Sequence, residues 1–443
     1  MLIFTVKLGF KPIFMKLNHL FRLPLLLFFL ALYSVQAQNH SDGSYTTVIT
    51  GFDWGPGVNK VILAPTLKTE KLVATDFEVM VSRSSDIATI STSTRSGKRE
   101  VIQAFASDSS GNPDAKGQYT TLLFSVAPNN PLGSPIQYYR GESSGGNIWI
   151  DYAMTIVHVP TQAVWHTENN RIIPIVDDFD TSGTYTQGVI KLTYASFMPK
   201  TKQAKIPLII WLHGGGEGGT DPTIPIIANK AYNYAAPEIQ RHFNGAAVLA
   251  PQTPTRWMHG VTTAYTRGQE DDIYHKALIG LIKNFVKENP TIDSNRIYVG
   301  GCSNGGYMTL KLLLENPDYF AAAYISSLAY YNEFVSEKQL LRLKNIPIWF
   351  VHAQDDKTTE ADKTATPLYK RLKQIKSKNV HYSLFDHVID VTGQYGGESY
   401  HYNGHWSWVY LHDNQVFYDY DNQPVLWKGK PVSIMEWMAA QHK

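Results

Sequence analysis

Two textures divide the chain. Between Ser41 and about Asp180 the apolar positions come in short runs: "TTVIT", "NKVILA", "LVATDFEVMVS", "EVIQAF", "YTTLLFSVA" and "IWIDYAMTIVHV". These runs are rich in Val, Ile, Thr and aromatics, and clusters such as "SSGNPDAKG" and "NNPLGSP" separate them. Such runs, bounded by turn formers, predict strands. With no convincing amphipathic helix among them, the segment reads as an all-β sandwich. "STSTRSGK" reads as an exposed strand end or loop.

After "DDFDTSGTYTQG" the pattern changes. Runs that are apolar throughout, "IPLIIWLHGGG", "GAAVLAPQT", "RIYVGGCS", "AAAYISSLA", "IPIWFVHAQ" and "NVHYSLFD", alternate with helical segments. "DIYHKALIGLIKNFVKEN", "GGYMTLKLLLEN" and "TATPLYKRLKQIK" carry apolar residues at i, i+3, i+4 spacing. Strands that are apolar on both faces suit a mostly parallel sheet with helices on both sides. The break near residue 180 divides the chain into a β domain, 38–180, and an α/β domain, 181–443. A length of 443 residues agrees with two domains.

The first forty residues fit neither texture. Lys16 and Arg22 precede the apolar run Leu23–Tyr33, and Val35 and Ala37 offer a small-residue cleavage site. That is the order of a signal peptide, 1–37, whose apolar core is too short to span a bilayer. Met15 would begin a leader of ordinary length. The expectation is an exported protein, secreted or periplasmic, with no stable membrane anchor. Cys302 is the single cysteine. It excludes an internal disulfide and, lying far from the leader, lipoprotein attachment. Net charge is +2 with no Lys/Arg stripe, which argues against a nucleic-acid partner.

Candidate chemistry centres on "YVGGCSNGGYM", Tyr298 to Met308, where a thiol and a hydroxyl stand side by side. A nucleophile elbow, G-x-Nuc-x-G, needs glycine two before and two after the nucleophile, because the strand-to-helix turn leaves no room for side chains there. Centred on Ser303 those positions are Gly301 and Gly305. Centred on Cys302 they are Gly300 and Asn304, and the second fails. Ser303 is therefore the nucleophile candidate, and Cys302 a small buried side chain. The motif is weak alone; the preceding strand "RIYVGG" and following helix give it weight.

A serine hydroxyl needs a base, and the base an orienting acid. In α/β-hydrolases both follow the nucleophile, acid first. Asp356 in "AQDDKTT", after the strand "IPIWFVH", is the candidate acid, with Asp355 its rival. His405 in "YHYNGHWSW" is the candidate base, with His401 its rival. His401 and His405 stand four apart, but Asn403-Gly404 opposes the helix that a metal pair would need, so no metal or other cofactor is expected. The oxyanion of an attacked carbonyl requires preorganised N–H donors. "WLHGGGEGG" follows the first strongly apolar strand of the α/β domain. Gly215 and Gly216 are the candidate donors, with the N–H of Asn304. No Lys-Ser or Lys-Thr follows these glycines, so a phosphate loop is excluded.

Taken together, "GFDWGPGVNKVIL", "WLHGGGEGG", "GGCSNGGYMTLKLLLENP", "IPIWFVHAQDD" and "YNGHWSWVY" resemble the exported bacterial EstA-type esterases. These are related to prolyl-oligopeptidase-like and polyhydroxybutyrate-depolymerase-like hydrolases. The resemblance covers nearly all of the chain beyond the leader. It implies an Ig-like domain ahead of an α/β-hydrolase domain, with Ser303, Asp356 and His405 as nucleophile, acid and base. Ala353 stands where related hydrolases often have glycine, which bears on the choice of Asp356 over Asp355. The implied activity is a serine esterase acting through an acyl-enzyme on small-molecule or polysaccharide-linked esters. A prolyl-oligopeptidase-like peptidase would use the same residues but usually carries a β-propeller, for which some 140 residues are too few. An inactive carbohydrate- or surface-binding protein would not need the intact set. Trp257, Trp406 and Trp408 are candidates for the substrate pocket or the core. Trp54, in a turn, is expected to dock against a neighbour such as the hydrolase domain.

Overall fold

The computed structural model describes residues 43–67, 71–141 and 145–443. The expected leader, with Met15, lies outside them. Among the described residues no helix is long and apolar enough to cross a membrane.

The first half is built of β1 (Gly43–Phe52), β2 (Gly55–Ala64), β3 (Phe77–Ser84), β4 (Ser96–Arg99), β5 (Val101–Ser107), β6 (Tyr119–Phe124), β7 (Ile136–Arg140), β8 (Gly145–Trp149), β9 (Asp151–His158) and β10 (Ala163–Ile172). Eight of these join in the order β4-β3-β9-β10-β1-β2-β6-β5, and β7 and β8 form a separate hairpin. This corrects the expected sandwich of two sheets: the strands form one continuous sheet. The reason lies in β10, which changes partner along its length. Ala163 to Trp165 pair antiparallel with β9, whereas Trp165 to Ile172 pair parallel with β1. Strict alternation in β3 and β9 turns Val79, Val81, Tyr152, Met154 and Ile156 inward. They share one apolar core with Ile49, Val58, Val61 and Leu122 from β1, β2 and β6. Arg99 fixes the closure: from β4 it donates to the carbonyl of Val58 on β2 at 2.9 Å.

The second sheet comprises β11 (Asp180–Gln187), β12 (Ile190–Phe197), β13 (Ile206–Leu212), β14 (Ala247–Gln252), β15 (Ile292–Cys302), β16 (Ala322–Ser326), β17 (Ile348–Ala353) and β18 (Val380–Phe385). Its order is β11-β12-β14-β13-β15-β16-β17-β18. β11 and β12 run antiparallel at one edge; from β14 onward every neighbouring pair is parallel. Alternate residues of the parallel strands enter different cores. Leu208, Ile210, Leu212, Val299 and Phe350 pack with apolar residues of the helices His275–Glu288, Asn304–Glu315 and Ala365–Gln374. Ile209, Trp211, Val248, Tyr298 and Val351 pack with residues of Pro237–Phe243 and Ile434–Ala439. Apolar runs without alternation are thus the signature of strands covered on both faces.

The two sheets are joined by specific contacts. Lys230 Nζ lies 3.0 Å from Asp53 Oδ1 and 2.7 Å from Asp413 Oδ1. Tyr232 donates its hydroxyl to the carbonyl of Gly51 at 3.0 Å. Trp54 stacks on Phe52 at 4.8 Å and meets Tyr395 edge-on at 4.5 Å.

Candidate active site

The parallel strands β13, β15, β17 and β18 end on the same side of their sheet. The loops that follow carry each of the residues singled out above, as expected of the crevice at the carboxyl ends of an α/β sheet. At the end of β15 the chain turns directly into the helix Asn304–Glu315, with Ser303 between them at φ 53° and ψ −114°. A positive φ on a serine is a strained state, costing on the order of 1–3 kcal/mol, that the surroundings must enforce. They do so by close approach. A Cβ on Gly301 would lie 2.5 Å from the carbonyl oxygen of Leu212, and one on Gly305 only 1.8 Å from it. The elbow is pressed against the end of β13, which is the physical basis of the glycine spacing. Ser303 N also donates to Ser326 O at 2.9 Å.

Ser303, His405 and Asp356 come together. His405 Nε2 lies 2.9 Å from Ser303 Oγ, and its Nδ1 lies 2.9 Å from Asp356 Oδ2. With the ring proton on Nδ1 donated to the carboxylate, Nε2 is left to accept from the serine. The histidine is held from behind: its N–H donates to Asn403 Oδ1 at 2.9 Å and its carbonyl accepts from Ser327 Oγ at 2.8 Å. Ser407 Oγ, 2.8 Å from Ser327 Oγ and 2.7 Å from Ser326 Oγ, ties this loop to the end of β16.

Asp356 is fully buried and surrounded by donors. Thr358 N and Thr359 N donate to Oδ1 at 2.8 and 3.0 Å, and Thr359 Oγ1 to Oδ2 at 2.8 Å. His352, itself completely buried, shares its Nε2 proton between Asp356 Oδ2 at 3.1 Å and Thr359 O at 2.7 Å. Burial works against the charge, but the bonds from His352, His405 and Thr359 outweigh it. The carboxyl is held well below the ordinary carboxylate range.

The rivals go elsewhere. Asp355 Oδ2 lies 2.9 Å from His387 Nδ1 near the surface. His401 stacks on that same His387 at 4.3 Å and is exposed. Cys302 is fully buried, and burial pushes its thiol far above its ordinary range.

The glycine loop after β13 makes a turn closed by Glu217 N donating to Gly214 O at 3.4 Å. Gly215 and Gly216 occupy its middle, where the turn does not use their N–H groups. A Cβ on Gly215 would sit 3.8 Å from Asn304 Cβ, so this glycine faces the elbow. Gly216 faces the other way, its carbonyl accepting from Asn147 N of β8 at 2.7 Å. Asn304 opens its helix, so its own N–H has no acceptor within it. Its side chain accepts from Met258 N at 3.0 Å, which anchors the elbow to the loop after β14. His213, buried, donates from Nδ1 to Gly214 O at 2.7 Å and accepts from Thr253 N at 3.3 Å; burial pulls it down to about 4, so it braces the loop as a neutral ring.

A cavity of about 620 Å³ opens on Ser303. Trp406 and Trp408 line it, while Trp257 is buried outside its lining. Sequence reasoning missed several groups around it. His352 was noted only as the end of a strand. Glu217 stood out as a charge within a glycine run, and Arg256 and Arg267 as unremarked loop residues. Tyr138 and Asn147 reach the cavity from the β7–β8 hairpin, and Trp54 from the turn after β1. Nothing local could reveal them, since their partners lie in the other half of the chain. Among the described residues no cluster of His, Cys, Asp and Glu could hold a metal ion.

Comparison with known proteins agrees with this architecture. Residues 44–169 match the esterase Ig-like N-terminal domain, and residues 195–393 match the phospholipase/carboxylesterase family. The chain is therefore an enzyme of the carboxylesterase-type hydrolases, with an esterase Ig-like domain ahead of its α/β-hydrolase domain. The crystal structure of a thermostable esterase shares the fold, with a TM-score of 0.69 and 24% identity over 90% of this chain and 100% of that one. A poly(3-hydroxybutyrate) depolymerase from Ralstonia pickettii is 28% identical over 132 residues, 29% of this chain. The match spans only about a quarter, 26%, of that relative's length.

Proposed function

We propose that the protein is an exported serine esterase that cleaves carboxylic esters through an acyl-enzyme. The observation that carries this reading is the chain of two 2.9 Å contacts from Ser303 through His405 to Asp356 at a strained elbow. Ser303 Oγ attacks the ester carbonyl while His405 Nε2 takes its proton. Asp356 holds the imidazole in the required tautomer and stabilises the imidazolium that forms. The N–H groups of Gly215 and Asn304, with Gly216 on the far side of the same turn, supply donors for the developing oxyanion. His405 then returns the proton to the leaving alcohol. A water molecule, deprotonated by the same ring, releases the carboxylic acid and restores Ser303. None of these steps calls for a metal or other cofactor.

The test is a fluorophosphonate probe followed by peptide mass analysis. Labelling should fall on Ser303 and vanish in Ser303→Ala; labelling elsewhere, or none, would refute the assignment. Export is tested separately: the mature protein should begin near residue 38 on N-terminal sequencing, and an intact Met1 would refute it.

A further inference from the structure

The cavity that opens on Ser303 carries two guanidinium groups, those of Arg256 and Arg267. Neither forms an ion pair among the described residues. Each is instead laid flat on an aromatic ring: Arg256 over Tyr265 at 4.8 Å and Arg267 over Tyr331 at 4.7 Å. Arg256 uses only its Nε within the protein, donating at 3.3 Å to the carbonyl of Gly215, the glycine that faces the elbow. Its two terminal nitrogens remain free beside the glycine loop. Arg267 Nη1 is buried and has no acceptor at all. A buried N–H without a partner is an unmade bond that a ligand's acceptor would complete.

The charges around the pair do not cancel it. Glu217 is the one acid that lines the cavity, and burial pushes its carboxyl up to about 7, so much of it is neutral near neutrality. Lys363 acts electrostatically on Arg267 from outside the lining, and Glu360, 2.7 Å from Lys363, is spent on that lysine. The cavity is therefore net positive, with donors held in place by stacking. Stacked guanidinium planes are suited to carboxylates, which they grip with two parallel bonds at little loss of freedom.

We propose that the enzyme selects esters that bear a second, ionised carboxylate, gripped by Arg256 and Arg267 while the ester carbonyl lies over Ser303. This rests on the esterase reading above and adds the substrate class. The carboxylate can belong to the acid part, as in a half-ester of a dicarboxylic acid, or to the alcohol part, as in an acylated hydroxy acid.

Two pairs of substrates that differ in charge alone separate these sources. Mono-4-nitrophenyl glutarate is compared with its methyl ester, and 4-acetoxybenzoate with 4-acetoxybenzamide. The wild type should favour the charged member of at least one pair by about tenfold or more in kcat/KM, the scale of a charge-assisted hydrogen bond. Arg267→Gln and Arg256→Gln should each bring that ratio toward one, and Arg267→Lys should retain part of it. The readout is the ratio within a pair, so any general slowing from loss of the Arg256–Gly215 bond cancels. A wild-type ratio at or below one in both pairs would overturn the inference, as would a ratio unchanged in both Gln variants. Failure to hydrolyse even 4-nitrophenyl acetate would instead strike at the esterase reading.

Discussion

Two histidine–carboxylate contacts of the same length lie one residue apart in the loop after β17. Asp356 meets His405 Nδ1 at 2.9 Å, and Asp355 meets His387 Nδ1 at 2.9 Å. The first acid is 0% exposed and its histidine 13%; the second is 34% exposed and its histidine 47%. Asp356 gathers donors from His352, Thr358 and Thr359 besides His405, whereas His387 is the one side-chain partner of Asp355 among the described residues. Contact distance does not distinguish them; enclosure and the number of donors do. Glu217 supplies the control. It is equally buried but poorly provided with donors, and there burial wins and raises the carboxyl. A buried carboxylate stays charged only where the fold aims enough N–H and O–H groups at it.

The strongest test of this contrast is Ser303→Ala. It should lower kcat for a small ester by roughly five orders of magnitude with the fold intact by circular dichroism. Retained activity would detach the buried cluster from the chemistry altogether. Next comes Asp356→Asn, expected to cost roughly three to four orders in kcat through loss of the correct imidazole tautomer. If Asp355→Asn proved the damaging change instead, enclosure would be the wrong criterion.

Glu217→Gln tests the rule on stability. The carboxyl rises from 4.5 to about 7 on folding, so its favourable contribution is complete below about 4.5 and is lost as pH rises through about 7. Urea unfolding at pH 5 and pH 8 should show the variant gaining on the wild type by up to about 3 kcal/mol at the higher pH. A wild type that gains with pH would mean the carboxylate is paired after all.

Gly404→Ala probes the link between the two clusters. A Cβ there would come within 2.1 Å of Asp355 Oδ1 and 2.9 Å of its backbone carbon. The displaced His405 should cost about tenfold in kcat or more, on the scale of small misplacements of catalytic groups. Smallest of all, Asp355→Asn and His401→Ala should stay within about threefold of wild type, as changes to exposed polar contacts usually do.

Much of this was legible in the chain itself. The helical spacing in "DIYHKALIGLIKNFVKEN" and "GGYMTLKLLLEN" falls on the helices His275–Glu288 and Asn304–Glu315. The apolar runs fall on β13 to β18. What escaped was polar: β10, "AVWHTENNRI", has no apolar period because one strand serves two partners. β11, "DTSGTYTQ", looks like a linker because it is an exposed edge.

The sequence by itself determined the elbow. Glycines at 301 and 305 around Ser303 state a steric requirement that is local, and local requirements leave local signals. It also set out the order of acid and base, since each follows the end of a readable strand. It did not determine which of two adjacent aspartates is enclosed, that His352 stands behind the acid, or that a hairpin from the β-rich half walls the cavity. Nor did it mark Arg256 and Arg267 as neighbours of Ser303. Those facts depend on which loops the sheet order brings to one edge, and on burial summed over many distant residues. That sum exists only once the chain has folded.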